Sequence, residues 1–183
     1  VPPEEDFKHK VHAKTYRTAE RHGLLWVYMG DNDPAPDLPA FGFMDRPAEN
    51  LYASRWHQEC NYAQAMEGEL DSAHVGFLHQ MVNQTDADPQ ALTGKYFQED
   101  TAPSWKLLPG PAGFMACNGR RVDGDQRYWR LNQFLLPFFT MIPPRPGDAQ
   151  LVRMWVPMTD ERCWVICVSW RPDGPLKDRK SVV

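Results

Sequence analysis

Residues 61–80 have the sequence NYAQAMEGELDSAHVGFLHQ, which contains no proline and is rich in Ala, Met, Leu, Glu and Gln. This composition predicts a helix over residues 61–79. On a helix, residues three or four positions apart share a face, and one face of this helix would be polar throughout. The polar line consists of Asn61, Gln64, Glu67, Asp71 and His74. A solvated helix face gives a similar pattern, but it normally carries Lys or Arg, so we interpret this line as a functional face.

The two histidines of this stretch, His74 and His79, are five positions apart. On a regular helix they would diverge by about 140°, so both would reach one ion only if the helix ends, bends or unwinds between them. Gly76 would permit such a break. Two histidines with one carboxylate and open positions are the ligand set of non-heme Fe(II) oxygenases. A zinc hydrolase is the less favoured alternative, because the sequence has no H-E-x-x-H motif.

The rest of the chain predicts an α+β fold with a curved antiparallel sheet. The predicted strands are residues 11–16, 24–29, 51–58, 114–122, 127–136, 138–142, 150–158 and 163–171. Gly23 and residues 123–125 are predicted to form turns between strands. The Pro- and Asp-rich residues 31–41 predict a linker and a domain boundary. The polar residues 81–103 predict a long loop, of the kind that often forms a lid or binding loop.

Composition narrows the class of protein further. With 42% hydrophobic and 24% charged residues, the 183-residue chain has the profile of an ordinary globular protein. The net charge of −4 and the scattered Lys and Arg residues argue against a nucleic-acid partner. No apolar run approaches the roughly 20 residues that span a bilayer, so no membrane association is expected. Four cysteines without metal-binding spacing indicate a cytoplasmic setting, and Cys163 and Cys167 are expected to be buried on one face of a strand.

The segments around the polar line carry a family resemblance. Residues 61–64, 67–68 and 71–74, with His79, resemble the iron-binding helix of Rieske-type ring-hydroxylating oxygenase α-subunits, particularly the phthalate dioxygenase-like branch. HKVHAKTYRTAERHGLLWVYMGD (residues 9–31) is similar to the closing strands of that family's Rieske domain. RYWRLNQFLLPFFTMIPP (127–144) and MWVPMTDERCWVICVSWRPDGPL (154–176) are similar to the sheet of its catalytic domain.

The resemblance implies a division into two domains. Residues 1–31 would be the end of a Rieske domain, and residues 32–183 would form most of a catalytic domain with a helix-grip, START-like fold. The sequence has no initiator Met and ends in the charged stretch LKDRKSVV. We therefore expect a fragment, truncated before the long C-terminal helix of that fold.

The resemblance also implies a role for the polar line. His74 and His79 would bind a mononuclear Fe(II), and Asp71 would hydrogen-bond toward a cluster histidine of a neighbouring subunit and help to pass an electron. Glu67, one turn earlier, would line the same junction. The implied activity is O₂ activation to hydroxylate or demethylate an aromatic substrate, with electrons supplied by a reductase or ferredoxin. The implied assembly is a homotrimer.

Two parts of that family's pattern are absent from the sequence. A 2Fe–2S Rieske cluster is bound by Cys and His, in this family in C-x-H and C-x2-H motifs, and none of the four cysteines belongs to such a motif. The third iron ligand of the family, an Asp from a downstream helix, is expected beyond residue 183, because the late acids Asp160 and Asp173 lie in predicted turns. The cluster and the third ligand are therefore expected only in the intact protein.

A START-like module that binds an apolar ligand without catalysis is the alternative interpretation. Its pocket would be lined by Phe114, Trp129, Phe134, Phe138 and Trp155. Core packing is the more ordinary role of such aromatic residues. A non-catalytic module has no use for Asp71, His74 and His79 together, so these three residues discriminate between the two interpretations.

Overall fold

The computed structural model describes residues 2–79, 91–144 and 147–176. The chain divides into two compact units, Val1–Met44 and Asp45–Val183. The predicted linker, residues 31–41, has no regular secondary structure and lies within the first unit. The assignment of residues 1–31 to a Rieske domain and of residues 32–183 to a catalytic domain stays a prediction.

The first unit contains an antiparallel hairpin of two strands, β1 (Arg17–Arg21) and β2 (Leu24–Tyr28), preceded by single 3-10 turns at Pro3–Glu5 and Lys8–Lys10. His22 and Gly23 connect the strands with φ angles of 56° and 75°, the backbone that a tight two-residue hairpin requires. The turn at Gly23 is thus confirmed. The predicted strand over residues 11–16 is wrong, because this turn pairs Arg21 with Leu24 and so places the first strand at Arg17–Arg21.

The second unit is built on a seven-stranded antiparallel sheet. Its strands are β3 (Leu51–Gln58), β4 (Ser104–Gly110), β5 (Gly113–Arg121), β6 (Arg127–Leu135), β7 (Phe139–Met141), β8 (Gln150–Thr159) and β9 (Arg162–Trp170). The strand order across the sheet is β3-β9-β8-β7-β6-β5-β4. Between β3 and β4 lie the helices α1 (Tyr62–Leu70), α2 (Val75–Leu78) and α3 (Ala91–Glu99), and a 3-10 turn at Ala48–Asn50 precedes β3. The predicted α+β fold with an antiparallel sheet and helices is confirmed, and the structure shows that the sheet is open.

Most strands lie where the sequence predicts them, with two differences in the segment before β5. Strand β4 was not predicted; it contains Pro109 and lies at the sheet edge, which is where a strand tolerates proline. The predicted loop over residues 81–103 is wrong for Ala91–Glu99, which is helix α3. Residues 81–90 of that predicted loop lie outside the described residues. The helix buries Phe97, which is 8% exposed and lies edge-on to Tyr128 of β6; this long-range packing offsets a weak local pattern.

The core lies between α1 and the sheet. Cys163, Val165 and Cys167 alternate along β9 and are 0%, 0% and 3% exposed, so the expected burial of the two cysteines on one strand face is confirmed. Met66 of α1 packs with Trp155 of β8 against this face. The packing holds α1 across the middle of the sheet and so fixes where the segment after α1 begins. Within the described residues, no helix is long and apolar enough to cross a membrane.

Candidate metal centre and cavity

The predicted functional helix is interrupted before His74. Asp71 has extended backbone angles (φ −67°, ψ 121°), which end α1 at Leu70. Its carboxylate accepts hydrogen bonds from the backbone N–H groups of Ala73 at 2.8 Å and His74 at 3.1 Å. These two bonds satisfy N–H groups of the short connection between α1 and α2. Helix α2 itself begins after His74, whose side chain does not cap it. The prediction of one helix over residues 61–79 with a break between the two histidines is therefore wrong in the position of the break.

The two histidines lie at opposite ends of α2 and face each other. His74 precedes the first residue of α2 and His79 follows its last. Their ring centroids are 5.2 Å apart, with the ring planes inclined at 56°. Gly76, which we expected to permit a bend, has a different role: a Cβ atom there would lie 2.5 Å from the carbonyl oxygen of Phe97 in α3. A glycine is required because α2 packs directly against the backbone of α3.

Asp71 also fixes the ring of His74. The Nδ1 atom of His74 lies 2.9 Å from an Asp71 carboxylate oxygen. When Nδ1 carries the proton and donates it to this carboxylate, the lone pair of the neutral ring is on Nε2, the atom left to bind a metal. Partial burial opposes the charge of Asp71, but the hydrogen bonds from Ala73 and His74 outweigh it and lower the pKa of the Asp71 carboxyl below 3.8.

The second acid predicted to act, Glu67, lies one turn before Asp71 on the exposed side of α1. It does not line the cavity described below. Its backbone carbonyl accepts the hydrogen bond from the Asp71 N–H that closes the last turn of α1. Its role at a junction with a neighbouring subunit stays a prediction.

A third acid, Glu69, was missed because it falls off the polar line. Its carboxylate is 10% exposed, is ion-paired with Arg153 of β8, and accepts a hydrogen bond from the Thr140 hydroxyl at 3.2 Å. Trp155 in turn donates its indole N–H to that hydroxyl at 2.9 Å. Burial raises the pKa of the Glu69 carboxyl, and this effect outweighs the opposite influence of Arg153 and Thr140. Sequence periodicity gives no sign of this network, because all three partners come from distant strands.

A cavity of about 750 Å³ opens between the segment after α1 and the sheet. Its lining includes the predicted site residues Asp71, His74 and His79. It also includes polar side chains of the sheet, among them Arg130, Asn132 and Arg153. Of the five aromatic residues named for an apolar pocket, only Trp155 is among the described lining residues. Phe134 and Phe138 pack against the core cluster instead, and Trp129 is 45% exposed.

The metal-binding capacity of the described residues is limited to the histidine pair and its carboxylate. Within residues 2–79, 91–144 and 147–176, no three His, Cys, Asp or Glu side chains are arranged to hold a metal ion. The four cysteines are free thiols. The described residues thus offer two histidines and the carboxylate that is hydrogen-bonded to one of them.

Residues 27–181 match the protein family described as LigXa C-terminal domain like. The chain belongs to this family. The match covers the whole sheet, α1, α2 and α3, and therefore the segment that carries Asp71, His74 and His79.

Curated relatives of this LigXa C-terminal-like chain are oxygenase subunits. It is 32% identical over 185 residues to the oxygenase subunit of 3-chlorobenzoate-3,4-dioxygenase from Comamonas testosteroni, covering 97% of this chain and 42% of that protein. It is 28% identical to the tert-butanol monooxygenase / tert-amyl alcohol desaturase oxygenase subunit of Aquincola tertiaricarbonis, covering 93% and 38%. It is 27% identical to the phthalate 4,5-dioxygenase oxygenase subunit of Pseudomonas putida, covering 90% and 39%. The chain thus spans about two fifths of the length of these relatives.

Solved structures agree on the fold. The terminal oxygenase of carbazole 1,9a-dioxygenase from Nocardioides aromaticivorans IC177 matches with a TM-score of 0.54 at 17% identity, over 94% of this chain and 52% of that one. A reduced complex between oxygenase and ferredoxin of carbazole 1,9a-dioxygenase matches with a TM-score of 0.52 at 15% identity, over 92% and 48%. The resemblance of the LigXa C-terminal-like chain to Rieske-type oxygenase α-subunits is confirmed.

Proposed function

We propose that the full-length protein is a Rieske-type non-heme iron oxygenase that hydroxylates or oxidatively demethylates an aromatic compound. In this proposal His74 and His79 are two ligands of its mononuclear iron. One observation carries it: the Asp71 carboxylate holds Nδ1 of His74 at 2.9 Å while the ring of His79 lies 5.2 Å from that of His74. Two imidazoles with a carboxylate partner, beside a cavity, fit the ligand chemistry of non-heme iron.

The chain's own residues would prepare the site. Asp71 fixes the tautomer and orientation of His74, so that Nε2 is the binding atom. His79 is held at the end of α2 by the hydrogen bond from its backbone N–H to the carbonyl of Val75 at 3.2 Å. Iron, when bound, supplies the one-electron chemistry that O₂ requires. Glu67, exposed on α1, is proposed to line the junction with a neighbouring subunit, and a homotrimer is the proposed assembly.

The cavity would receive the substrate beside the histidines. Its described walls combine the indole of Trp155 with the polar groups of Arg130 and Asn132, a combination suited to an aromatic ring that carries a polar or anionic substituent. Two of the relatives are named for 3-chlorobenzoate and phthalate, both aromatic acids. The third reported relative is named for tert-butanol and tert-amyl alcohol, which are aliphatic, so the support for an aromatic substrate comes from these two relatives and from the cavity walls.

The electron supply would come from outside this chain. None of the four cysteines stands in a C-x-H or C-x2-H motif, so these residues do not fit a Rieske cluster. A 2Fe–2S cluster elsewhere in the full-length protein, reduced by a reductase or ferredoxin, is the proposed source. The fold match to an oxygenase–ferredoxin complex is compatible with a ferredoxin donor.

The non-catalytic START-like alternative has no observation in its favour. The aromatic residues that would line its apolar pocket mostly lie in the core or on the surface. The cavity wall instead includes Asp71, His74 and His79. The curated relatives reported above are all oxygenase subunits.

The ligand assignment is tested with His74→Ala and His79→Ala in the full-length protein. Each variant is expected to lose mononuclear iron, because it removes one of the two imidazole ligands, while the Rieske absorbance persists. His57→Ala is the matched control, because His57 is exposed on β3 and contacts Trp164. Metal analysis combined with the visible spectrum distinguishes the two iron centres. Wild-type iron content and turnover in His74→Ala would refute the assignment.

A further inference from the structure

Arg120, near the end of β5, is the largest fully buried side chain of the described residues. Its guanidinium donates hydrogen bonds to three oxygens, none of them a carboxylate. Nε donates to the carbonyl of Asp100 at 3.1 Å and Nη1 to the hydroxyl of Ser72 at 2.9 Å. Nη2 donates to the carbonyl of Ser72. Burying a cation away from water is costly unless it is both hydrogen-bonded and paired with an opposite charge. These three oxygens supply hydrogen bonds but no formal charge, so the arrangement needs an explanation.

The partner of two of these bonds lies inside the candidate metal-binding segment. Ser72 directly follows Asp71 in the extended connection between α1 and α2, and it is 2% exposed. Both its hydroxyl and its carbonyl are held by Arg120. Asp71 in turn holds the backbone and the ring of His74. A fixed Ser72 therefore restrains the carboxylate that orients His74.

The other side of the guanidinium contacts α3. Its Cζ atom lies over the ring of Phe97, 4.3 Å from the ring centroid, and Nε donates a hydrogen bond to the carbonyl of Asp100 just beyond the helix end. The carbonyl of Phe97 is the atom against which Gly76 packs. Arg120 thus joins the segment that begins with Asp71 to the helix that supports α2.

We propose that Arg120 is a positioning residue for the metal centre, acting through Ser72 on Asp71 and His74. This inference rests on the proposed function, in which His74 is an iron ligand. A planar guanidinium suits the role because its N–H groups point in fixed directions and can hold two oxygens of one residue. The single ammonium of a lysine at position 120 would keep the charge but would not reproduce the pair of hydrogen bonds to the hydroxyl and carbonyl of Ser72.

Ser72→Ala and Arg120→Lys in the full-length protein test the proposal, with Arg120→Met as the more severe variant. The measurement is anaerobic titration of Fe(II) alone into protein depleted of mononuclear iron. Loss of a group that orients a ligand typically weakens metal binding 10- to 100-fold, so we expect at least about a tenfold higher Fe(II) dissociation constant in Ser72→Ala and Arg120→Lys. The Rieske absorbance should persist in both. Ser54→Ala, which removes a serine hydroxyl from β3, is the control and should bind Fe(II) like wild type.

A spectroscopic measurement separates positioning from a general loss of stability. The EPR spectrum of the nitric oxide complex of the mononuclear iron reports ligand geometry, and it should change in Ser72→Ala but not in Ser54→Ala. If Arg120→Met does not fold, the milder Ser72→Ala still decides the question. Wild-type Fe(II) affinity and spectrum in Ser72→Ala and Arg120→Lys, with iron lost in His74→Ala, would overturn the positioning role alone. Iron retained in His74→Ala would overturn the ligand assignment and the positioning role with it.

Discussion

Gly76 and Phe97 are in direct contact through their backbones: a Cβ atom on Gly76 would lie 2.5 Å from the carbonyl oxygen of Phe97 and 3.2 Å from the side chain of Thr101. The oxygen belongs to the backbone of α3, so it cannot rotate away as the end of a side chain would. Any residue larger than glycine must displace α2 from α3. Because α2 separates His74 from His79, the displacement reaches the candidate metal site.

Gly76→Ala is therefore expected to destabilise the fold and to weaken iron binding. Overpacking of a rigid contact typically costs about 1–3 kcal/mol in the free energy of unfolding, measured by urea denaturation. Gly68→Ala is the matched control, because a Cβ atom on Gly68 of α1 meets nothing within 4 Å. Alanine in a helix interior should raise stability by about 0.5–1 kcal/mol. Equal effects of the two substitutions would contradict the role of the close contact.

Asp71→Asn is expected to keep both metal centres filled and to slow turnover by roughly 10- to 100-fold. The carboxylate accepts from Ala73 and from His74 on different oxygens, so the single amide oxygen of Asn keeps one of these two bonds and still supports part of the local turn. It lacks the negative charge that favours a proton on Nδ1 of His74. Steady-state turnover and metal analysis of the full-length protein provide the measurement.

The control for this substitution is Glu59→Gln. Glu59 is 79% exposed and forms a long ion pair with Arg162 at 3.9 Å, away from the cavity lining. Its loss should leave turnover unchanged. If Asp71→Asn turns over at the wild-type rate with full metal content, the Asp71 carboxylate has no part in the reaction.

Glu69→Gln is expected to destabilise the protein by about 3 kcal/mol, because it leaves the charge of Arg153 without its buried partner. Both side chains are largely buried, at 10% and 23% exposure. The exposed pair of Lys95 and Glu99 in α3, at 3.7 Å, is the control; Glu99→Gln should cost no more than about 0.5 kcal/mol. Urea denaturation measures both.

A double-mutant cycle sharpens this prediction. Combining Glu69→Gln with Arg153→Met removes both charges of the pair, and a buried ion pair replaced as a unit loses much less stability than one partner removed alone. The double variant should therefore be more stable than the sum of the two single effects predicts. Strict additivity would mean that Glu69 and Arg153 do not stabilise each other.

The sequence predicts much of the sheet because its signals are local. Turn residues flank strands of alternating polarity, so Leu51–Gln58 was predicted to the residue and the hairpin of β5 and β6 to within one residue at each end. Edge strand β4 was not predicted, because Pro109 is typical of a residue that interrupts a strand. Proline is tolerated in an edge strand, where a backbone N–H is not needed to bond a further strand. Helix α3 was missed because its order depends on Phe97 contacting residues of β5 and β6.

The candidate site was predictable in its residues but not in its geometry. Spacing and residue type singled out Asp71, His74 and His79. The expected break between the two histidines was in the wrong position, because the helix already ends at the extended backbone of Asp71. Arg120 and Glu69 carried no usable signal, since their partners lie 48 and 84 residues away along the chain.

The stability of the segment around Asp100 should depend on pH in acid. The Arg121 backbone N–H donates a hydrogen bond to the Asp100 carboxylate at 2.7 Å. This bond lowers the pKa of the Asp100 carboxyl by more than burial raises it. A second bond from Ala102 and the charges of Arg121 and Arg120 help it to lower the pKa of that carboxyl below its ordinary value of 3.8. A lowered pKa means that the stabilisation is fully present above pH 3.8 and is lost as the pH falls through the folded-state pKa.

Asp100→Asn should accordingly lower the free energy of unfolding by about 1–2 kcal/mol at neutral pH, because it replaces charge-assisted hydrogen bonds by neutral ones. Its difference from wild type should narrow as the pH falls from 3.8 through the lower folded-state pKa, because the wild-type carboxylate becomes protonated and uncharged over that range. Asp125→Asn, in the exposed turn after β5, is the control and should follow the wild-type curve. Urea denaturation at a series of pH values from 2.5 to 7 provides the test, with the range set to bracket a carboxyl pKa of about 4. A stability difference that stays constant across this range would show that the Asp100 carboxylate is not stabilised by its backbone partners.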